Sequence, residues 1–141
     1  MYSMHYTTQT TVEGEFDEVV DTTVDALETE GFGVLSDIDV RATMAEKLDV
    51  DFRNYRILGA CSPPLAHEAL TEEIDLGALL PCNVIVYETD DGEVVVGAVD
   101  PERLVGIADN EALDGVAIEV GERFERVLAA VADEFAAAPD A

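Results

Sequence analysis

Hydrophobic and polar residues near the start of the chain alternate with two different periods. Residues 2–12 change character at every second position and are rich in Tyr and Thr, which is typical of a β-strand. Between Phe16 and Leu27 the apolar residues recur every three or four positions, which predicts an amphipathic helix that ends at Gly31. Residues 33–40 return to the strand pattern. The chain is therefore predicted to begin with a strand, a helix and a second strand.

The middle of the chain carries short elements on either side of two cysteines. The pattern predicts a short helix over 41–48 and a strand over 55–60 that leads into Cys61. Ser62 and Pro63 have the residue types of a helix start, because Ser can cap and Pro suits the first turn. A short helix, a helical turn and the start of a strand are predicted next, over 65–70, over 74–80 and at Pro81 and Cys82.

The second half of the chain predicts a hairpin and one long helix. The turn-forming residues 90–92 stand between 83–89 and 93–99, two segments rich in Val, Ile and Tyr, and this arrangement predicts a β-hairpin. Apolar residues at helical spacing then predict a long helix over 113–135, with 136–141 as a frayed end. We therefore expect a single α+β domain over 1–141. Its small mixed sheet would carry the N-terminal strand–helix–strand unit and the long C-terminal helix.

The large excess of acidic residues indicates the conditions to which the protein is adapted. Thirty-two Asp and Glu oppose seven Lys and Arg and give a net charge of −25, yet 48% of the residues are hydrophobic, enough for a folded core. The acids are spread along the chain instead of forming a tail. Such a domain repels itself in dilute buffer, and salt at about 1 M shortens the Debye length to about 3 Å. The composition therefore predicts a salt-adapted protein.

The same composition excludes several classes of partner. The few Arg residues are scattered, so the chain lacks the clustered cations that phosphate contacts need, and we expect no nucleic-acid binding. No stretch approaches the roughly 18 apolar residues of a membrane span, so we expect no membrane insertion. The first residues have neither the basic nor the apolar region of a secretory leader, and we therefore expect a cytoplasmic protein.

Candidate chemistry centres on Cys61, His67 and Cys82, which all border predicted turns. Two thiolates and an imidazole could bind zinc or another soft metal, with a carboxylate or water completing the site. Cys61 precedes a helix N-terminus, where the helix dipole would favour its thiolate. The two sulfurs meet at one end of the sheet only if their strands run antiparallel, and the sequence leaves that direction open. Packed, unreactive cysteines are the alternative interpretation.

Three other features carry weaker signals. Lys47 is the single lysine of the chain, which favours a specific role in a buried ion pair or in holding an anionic ligand. Asp37 and Asp39 share one face of a predicted strand, where a solvated acidic face is the default interpretation. His5 is interpreted as a residue of a strand face near the N-terminus.

Several segments resemble the domain of unknown function 302 family from about Thr7 to Val131, in the form of a haloarchaeal-type member. The resemblance implies a small α+β domain, commonly dimeric, in which the blocks with Cys61 and Cys82 fall where the residues themselves indicate a site. It implies no reaction, substrate or cofactor. The segments that carry the resemblance are GFGVL at 31–35, IDV at 38–40, EKL at 46–48, YRILGAC at 55–61, AHEAL at 66–70 and LLPCNV at 79–84.

We expect a homodimer that binds a small molecule or a metal near Cys61, Cys82, Asn83 and Lys47. The first alternative is a redox or nucleophilic enzyme in which Cys61 is the reactive thiol and Cys82 resolves it. The second is a structural or protein-interaction module that uses the helix over 113–135 as its contact surface.

Overall fold

The computed structural model describes residues 2–4 and 6–137, which form a sheet of seven strands and five α-helices. The strands are β1 (Tyr2–Met4), β2 (Thr7–Glu13), β3 (Gly33–Asp39), β4 (Tyr55–Cys61), β5 (Cys82–Glu88), β6 (Val94–Val99) and β7 (Ala136–Ala137). The helices are α1 (Phe16–Thr29), α2 (Val40–Leu48), α3 (Pro63–Glu72), α4 (Pro101–Gly106) and α5 (Asp114–Glu134), with 3₁₀ turns at Ile74–Leu79 and Glu111–Leu113.

The sheet has the strand order β1-β2-β6-β5-β4-β3, and β7 adds to β2. The α+β class, the opening strand–helix–strand unit and the long C-terminal helix are confirmed. The expectation of a mixed sheet is wrong, because every pairing between the described strands is antiparallel. The physical reason lies in residues 62–81, which turn back at one end of the sheet instead of crossing over to make a parallel neighbour.

Helix α1 begins and ends with local hydrogen bonds, and its end at Gly31 is where the sequence predicts it. The side chain of Glu15 accepts a hydrogen bond from the backbone N–H of Glu18 at 2.9 Å and caps the first turn. Gly31, at φ +88°, takes the left-handed conformation that ends the helix, and the N–H of Phe32 donates back to the carbonyl of Leu27 at 2.9 Å. The strand that follows therefore leaves the helix at a defined point.

Helices α1 and α5 pack against each other and cover one face of the sheet. The rings of Phe32 and Phe124 meet with centroids 4.9 Å apart within this layer. The apolar side of α5 is buried in the core of the same chain. It is therefore not exposed as the contact surface for a partner that the second alternative expected on this helix. Its buried residues are Val116, Ala117, Val120, Phe124, Val127, Leu128 and Val131.

The two faces of the sheet have different surroundings. In β5, Val84 and Val86 are fully buried beneath the helices, while Asn83, Ile85 and Tyr87 point to the opposite side. We call that opposite side the open face. By strand register its residues are Thr7, Gln9, Thr11, Ser36, Ile38, Tyr55, Ile57, Gly59, Asn83, Ile85, Tyr87, Val95, Gly97 and Val99.

The ends of the chain are described in part. Ala136 and Ala137, the first residues of the expected frayed end, pair with Glu13 and Val12 of β2. The rest of that end, 138–141, and His5 lie outside the described residues. Within the part of the chain that the structure describes, no helix has the length and apolar character required to cross a membrane.

Salt is predicted to control the stability of this fold. With a net charge of −25, the folded chain repels itself most strongly where screening is weakest, because the Debye length grows from about 3 Å at 1 M to about 30 Å at 0.01 M. The unfolding temperature should fall when potassium chloride is reduced from about 1 M to tens of millimolar. Differential scanning calorimetry checks this, and an unchanged unfolding temperature would contradict it.

Replacing Gly59 by Ala is predicted to destabilise the fold. A Cβ at this position would lie 2.8 Å from Cγ of Pro81 and would clash with Oγ of Ser36. We expect a loss of about 1–3 kcal/mol in the free energy of unfolding, measured by denaturant titration. Gly115→Ala is the matched control, because no atom lies within 4 Å of the new methyl group, and it should be neutral or slightly stabilising. Equal effects of the two substitutions would contradict the packing described here.

Candidate functional site

The two cysteines lie at the same end of the sheet. Cys61 is the last residue of β4 and Cys82 is the first residue of β5, and the register places Ala60 opposite Cys82. Because the two strands run antiparallel, their ends meet, which is one of the two arrangements that the sequence left open. Both cysteines are free thiols.

Both cysteines line a small apolar cavity between the sheet end and the helices. The cavity has a volume of about 50 Å³. A cavity of about 150 Å³ is what holds a benzene molecule, so this space accommodates only a few atoms. Its walls also include Phe32, Leu65, Leu76, Leu80, Val116 and Val120.

The surroundings of Cys82 do not favour the ionised form of its thiol. Burial, with a smaller contribution from the neighbouring Cys61, raises the pKa of its thiol to about 11. The thiol therefore keeps its proton near neutral pH, whereas a metal ligand or a nucleophile must lose it. This environment favours the interpretation of Cys82 as a packed residue.

His67 does not join the cysteines. It is exposed on α3 and is not part of the cavity wall. Among residues 2–4 and 6–137, no three or more His, Cys, Asp or Glu side chains are grouped so that they could hold a metal ion. The structure thus does not bring Cys61, Cys82 and His67 together as the expected zinc or soft-metal site.

The remaining predicted site residues lie elsewhere. Asn83 follows Cys82 directly in β5, and successive side chains of a strand point to opposite faces, so Asn83 belongs to the open face and not to the cavity. Lys47 is exposed in the last turn of α2. The single site expected near the cysteines is therefore divided over three places in the fold.

The two aspartates of β3 have structural partners. Both carboxylate oxygens of Asp37 accept hydrogen bonds from the Arg56 guanidinium, and Nε of Arg56 lies 2.7 Å from Oδ1. This hydrogen bond is the main reason why the pKa of Arg56 is raised. The carboxylate of Asp39 caps α2 by accepting from the N–H of Ala42 at 2.9 Å. These contacts account for both acids without a catalytic role.

A larger groove lies on the open face, and we call it the open-face groove. Its volume is about 640 Å³. The rings of Tyr55 and Tyr87 stack on one side of it, with centroids 5.5 Å apart and planes 13° from parallel. None of its lining residues is charged, and they are Tyr6, Thr7, Gln9, Tyr55, Asn83, Ile85, Tyr87, Gly97 and Val99.

Gly97 makes the floor of the groove low. It stands in the middle of β6 between Gln9 and Ile85, and a Cβ there would lie 3.3 Å from Cγ of Gln9 and 3.4 Å from Cγ1 of Ile85. Glycine inside a strand marks such a close approach. Tyrosines flank this low point. Burial raises the pKa of Tyr55, with smaller contributions from Tyr87 and Tyr6, so its hydroxyl stays protonated.

Most of the residues that line the groove were not predicted from the sequence. Of its residues only Asn83 was singled out, and for a different site. A usable signal exists in β2, β5 and β6, where every second residue over 7–11, 83–87 and 95–99 is uncharged on the side that the helices leave open. In a chain with 28% charged residues, such a run is informative.

Cys82 predicts a pH dependence of stability. Its pKa rises from 9.0 to about 11 on folding, a difference of 11 − 9 = 2 units, so the unfolded chain ionises first as the pH rises. The stability that this thiol contributes is fully present below pH 9 and is lost between pH 9 and 11, by roughly 2–3 kcal/mol. The difference in unfolding free energy between the wild type and Cys82→Ala should therefore shrink as the pH rises from 9 to 11. Cys61→Ala keeps Cys82 and the burial that is the main cause of its raised pKa, so this variant should retain most of the pH dependence. A difference between the wild type and Cys82→Ala that is constant with pH would contradict the assignment.

Comparison with known proteins gives one family. The family model for the Domain of unknown function DUF302 matches residues 8–131. The crystal structure of an uncharacterized conserved DUF302 protein from Bacillus stearothermophilus is similar with a TM-score of 0.84 and 29% identity, covering 91% of this chain and 99% of that chain. No curated protein matches. The resemblance to this family is confirmed over residues 8–131, and the chain belongs to the DUF302 family.

Proposed function

We propose that this protein is a small-ligand-binding domain and that the open-face groove is its binding site. The observation that carries the proposal is a groove of about 640 Å³ without a charged lining residue, on a chain with a net charge of −25. The proposed ligand is a small, planar, uncharged organic molecule.

The size of the groove supports this ligand class. Pockets for small molecules and cofactors have volumes of about 300–1,000 Å³ and combine apolar or aromatic walls with a few polar groups. Here the stacked Tyr55 and Tyr87 give an aromatic wall, and the amides of Gln9 and Asn83 can donate and accept hydrogen bonds. Planar ligands stack on such rings.

The electrostatics argue against anionic ligands. Neither Lys nor Arg lines the groove, and the remainder of the chain carries a strong negative field. A phosphate or carboxylate would therefore be repelled without finding a cation to pair with. Nucleotides and organic acids are therefore disfavoured as ligands, and neutral molecules are favoured.

The proposed binding site lies away from the cysteines. The cysteine cavity of about 50 Å³ is too small for an organic ligand, and the raised pKa of Cys82 works against a metal-thiolate or a thiol-exchange role. We further propose that the protein is of the haloarchaeal type and works in a salt-rich cytoplasm. The net charge of −25 and the two free thiols support this setting.

Nile red, a neutral planar dye, tests the groove by fluorescence titration at about 1 M potassium chloride, where charge repulsion is screened. We expect the wild type to bind one dye per chain. Ile85→Asp should weaken binding about tenfold or more, because it places a carboxylate in the apolar floor. Ile118→Asp is the matched control, because Ile118 is a half-exposed residue of α5, and it should bind as the wild type does.

The Cys61→Ala, Cys82→Ala double variant separates the two sites. It should bind Nile red with unchanged affinity, since neither cysteine lines the groove. Circular dichroism confirms that each variant is folded. A wild type that fails to bind the dye, or a loss of binding in the cysteine variant but not in Ile85→Asp, would overturn the proposal.

A further inference from the structure

Gly97 allows the side chain of Gln9 to lie across the open-face groove. Gly97 is buried in the middle of β6, directly opposite Gln9 of β2. The position that a Cβ of residue 97 would occupy is 3.3 Å from Cγ of Gln9 and 3.6 Å from its Nε2. A side chain at this position would crowd the amide of Gln9. Glycine therefore leaves the amide above β6, between the groove residues of β2 and those of β5.

Thr7 fixes the orientation of this amide. Nε2 of Gln9 donates a hydrogen bond to Oγ1 of Thr7 at 3.4 Å, and both side chains are half-buried. The bond uses one of the two N–H groups, and it is the hydrogen bond that this side chain makes among the described residues. The second N–H and the carbonyl oxygen are therefore free, and they form an edge with one donor beside one acceptor.

Tyr87 offers a ring face on the other side of β6. Its ring stacks on Tyr55 of β4, and β4 and β6 flank β5 on opposite sides. The face of Tyr87 that Tyr55 leaves uncovered is therefore turned towards β6. Tyr87 lies opposite Val95, two residues from Gly97, which is about 7 Å along the strand. A flat molecule that stacks on Tyr87 above β6 can thus reach the amide edge of Gln9.

We propose that the ligand of the open-face groove is an uncharged nitrogen heterocycle of the nucleobase type, and that the amide of Gln9 recognises it. The proposal rests on the proposed function and narrows its ligand class. The side-chain amide of Gln pairs with adenine through two hydrogen bonds, because the base presents a donor and an acceptor side by side. Tyrosine rings stack on the flat faces of such bases.

The uncharged lining of the groove decides which form of the base fits. A nucleotide or a nucleic-acid strand adds phosphate groups, and neither Lys nor Arg lines the groove to pair with them. The net charge of −25 on the chain repels the same groups. A base without phosphate meets neither obstacle. The groove therefore favours the base itself over its phosphorylated forms.

Displacement of Nile red by 9-methyladenine at about 1 M potassium chloride tests the choice of ligand. The methyl group blocks the nitrogen at position 9, so the amino group at position 6 is the donor that remains. We expect 9-methyladenine to displace the dye from the wild type. The matched control ligand is 6-dimethylamino-9-methylpurine, which is also flat and uncharged but has no donor. It should displace the dye at least about tenfold less well.

Gln9→Met tests the role of the amide. Met is also long and unbranched, but its thioether lacks the donor and the strong acceptor of the amide. The affinity for 9-methyladenine should fall about tenfold or more and approach that for the control ligand, whereas Nile red should bind within about twofold of the wild type. Thr11→Val is the control variant, because Thr11 lies on the same face of β2 but does not line the groove. It should bind both purines as the wild type does, and circular dichroism checks the fold of each variant.

Three results would overturn the choice of ligand and leave the proposed function standing. They are a bound dye that 9-methyladenine does not displace, equal displacement by the two purines, and an unchanged affinity for 9-methyladenine in Gln9→Met. A wild type that does not bind Nile red would instead overturn the proposed function, and the nucleobase proposal with it. Dye binding and dye displacement therefore distinguish the two failures.

Discussion

The packing of α1 and α5 on a single face of an antiparallel sheet is the interaction on which the other features of this fold depend. Full burial of a Val or Leu side chain contributes about 1.5–3 kcal/mol, and the residues of β5, β6 and α5 that meet in this layer are almost completely buried. This one-sided packing decides which residues of each strand enter the core. It also leaves the alternate residues of the same strands on the open face.

The distribution of charge distinguishes the open face from the rest of the surface. The chain carries 32 acidic residues and distributes them over its surface, yet no charged residue lines the open-face groove. Polar residues such as Thr7, Gln9 and Asn83 keep the open face compatible with water. The absence of acids along the groove separates it from the rest of the surface and makes it the candidate site for a ligand.

Local periodicity was sufficient to predict much of the fold. The apolar spacing of α1 and α5 and the turn between β5 and β6 identified these elements, because each depends on residues that are close in sequence. The direction of β4 relative to β5 depends on pairing across residues 62–81, and local patterns carry no information about that pairing. The mixed sheet was therefore a wrong prediction.

The candidate site was harder to predict for a related reason. Adjacent positions in the sequence, such as Cys82 and Asn83, belong to opposite faces of a strand, so a site assembled from neighbours in the chain mixes residues that never meet. The cysteines were predicted to meet if the strands were antiparallel, and they do line one cavity. The exposure of His67 and the protonated state of Cys82 depend on tertiary packing, which the sequence patterns did not show.

Mapping the binding of Nile red by amide chemical shifts in a ¹H–¹⁵N spectrum tests the central claim most directly. If the open face is the binding surface, the shifted amides should cluster in β2, β4, β5 and β6 around Gly97, at the positions that line the groove. Shifts confined to the helices, or centred on the cavity beside Cys61 and Cys82, would contradict the account.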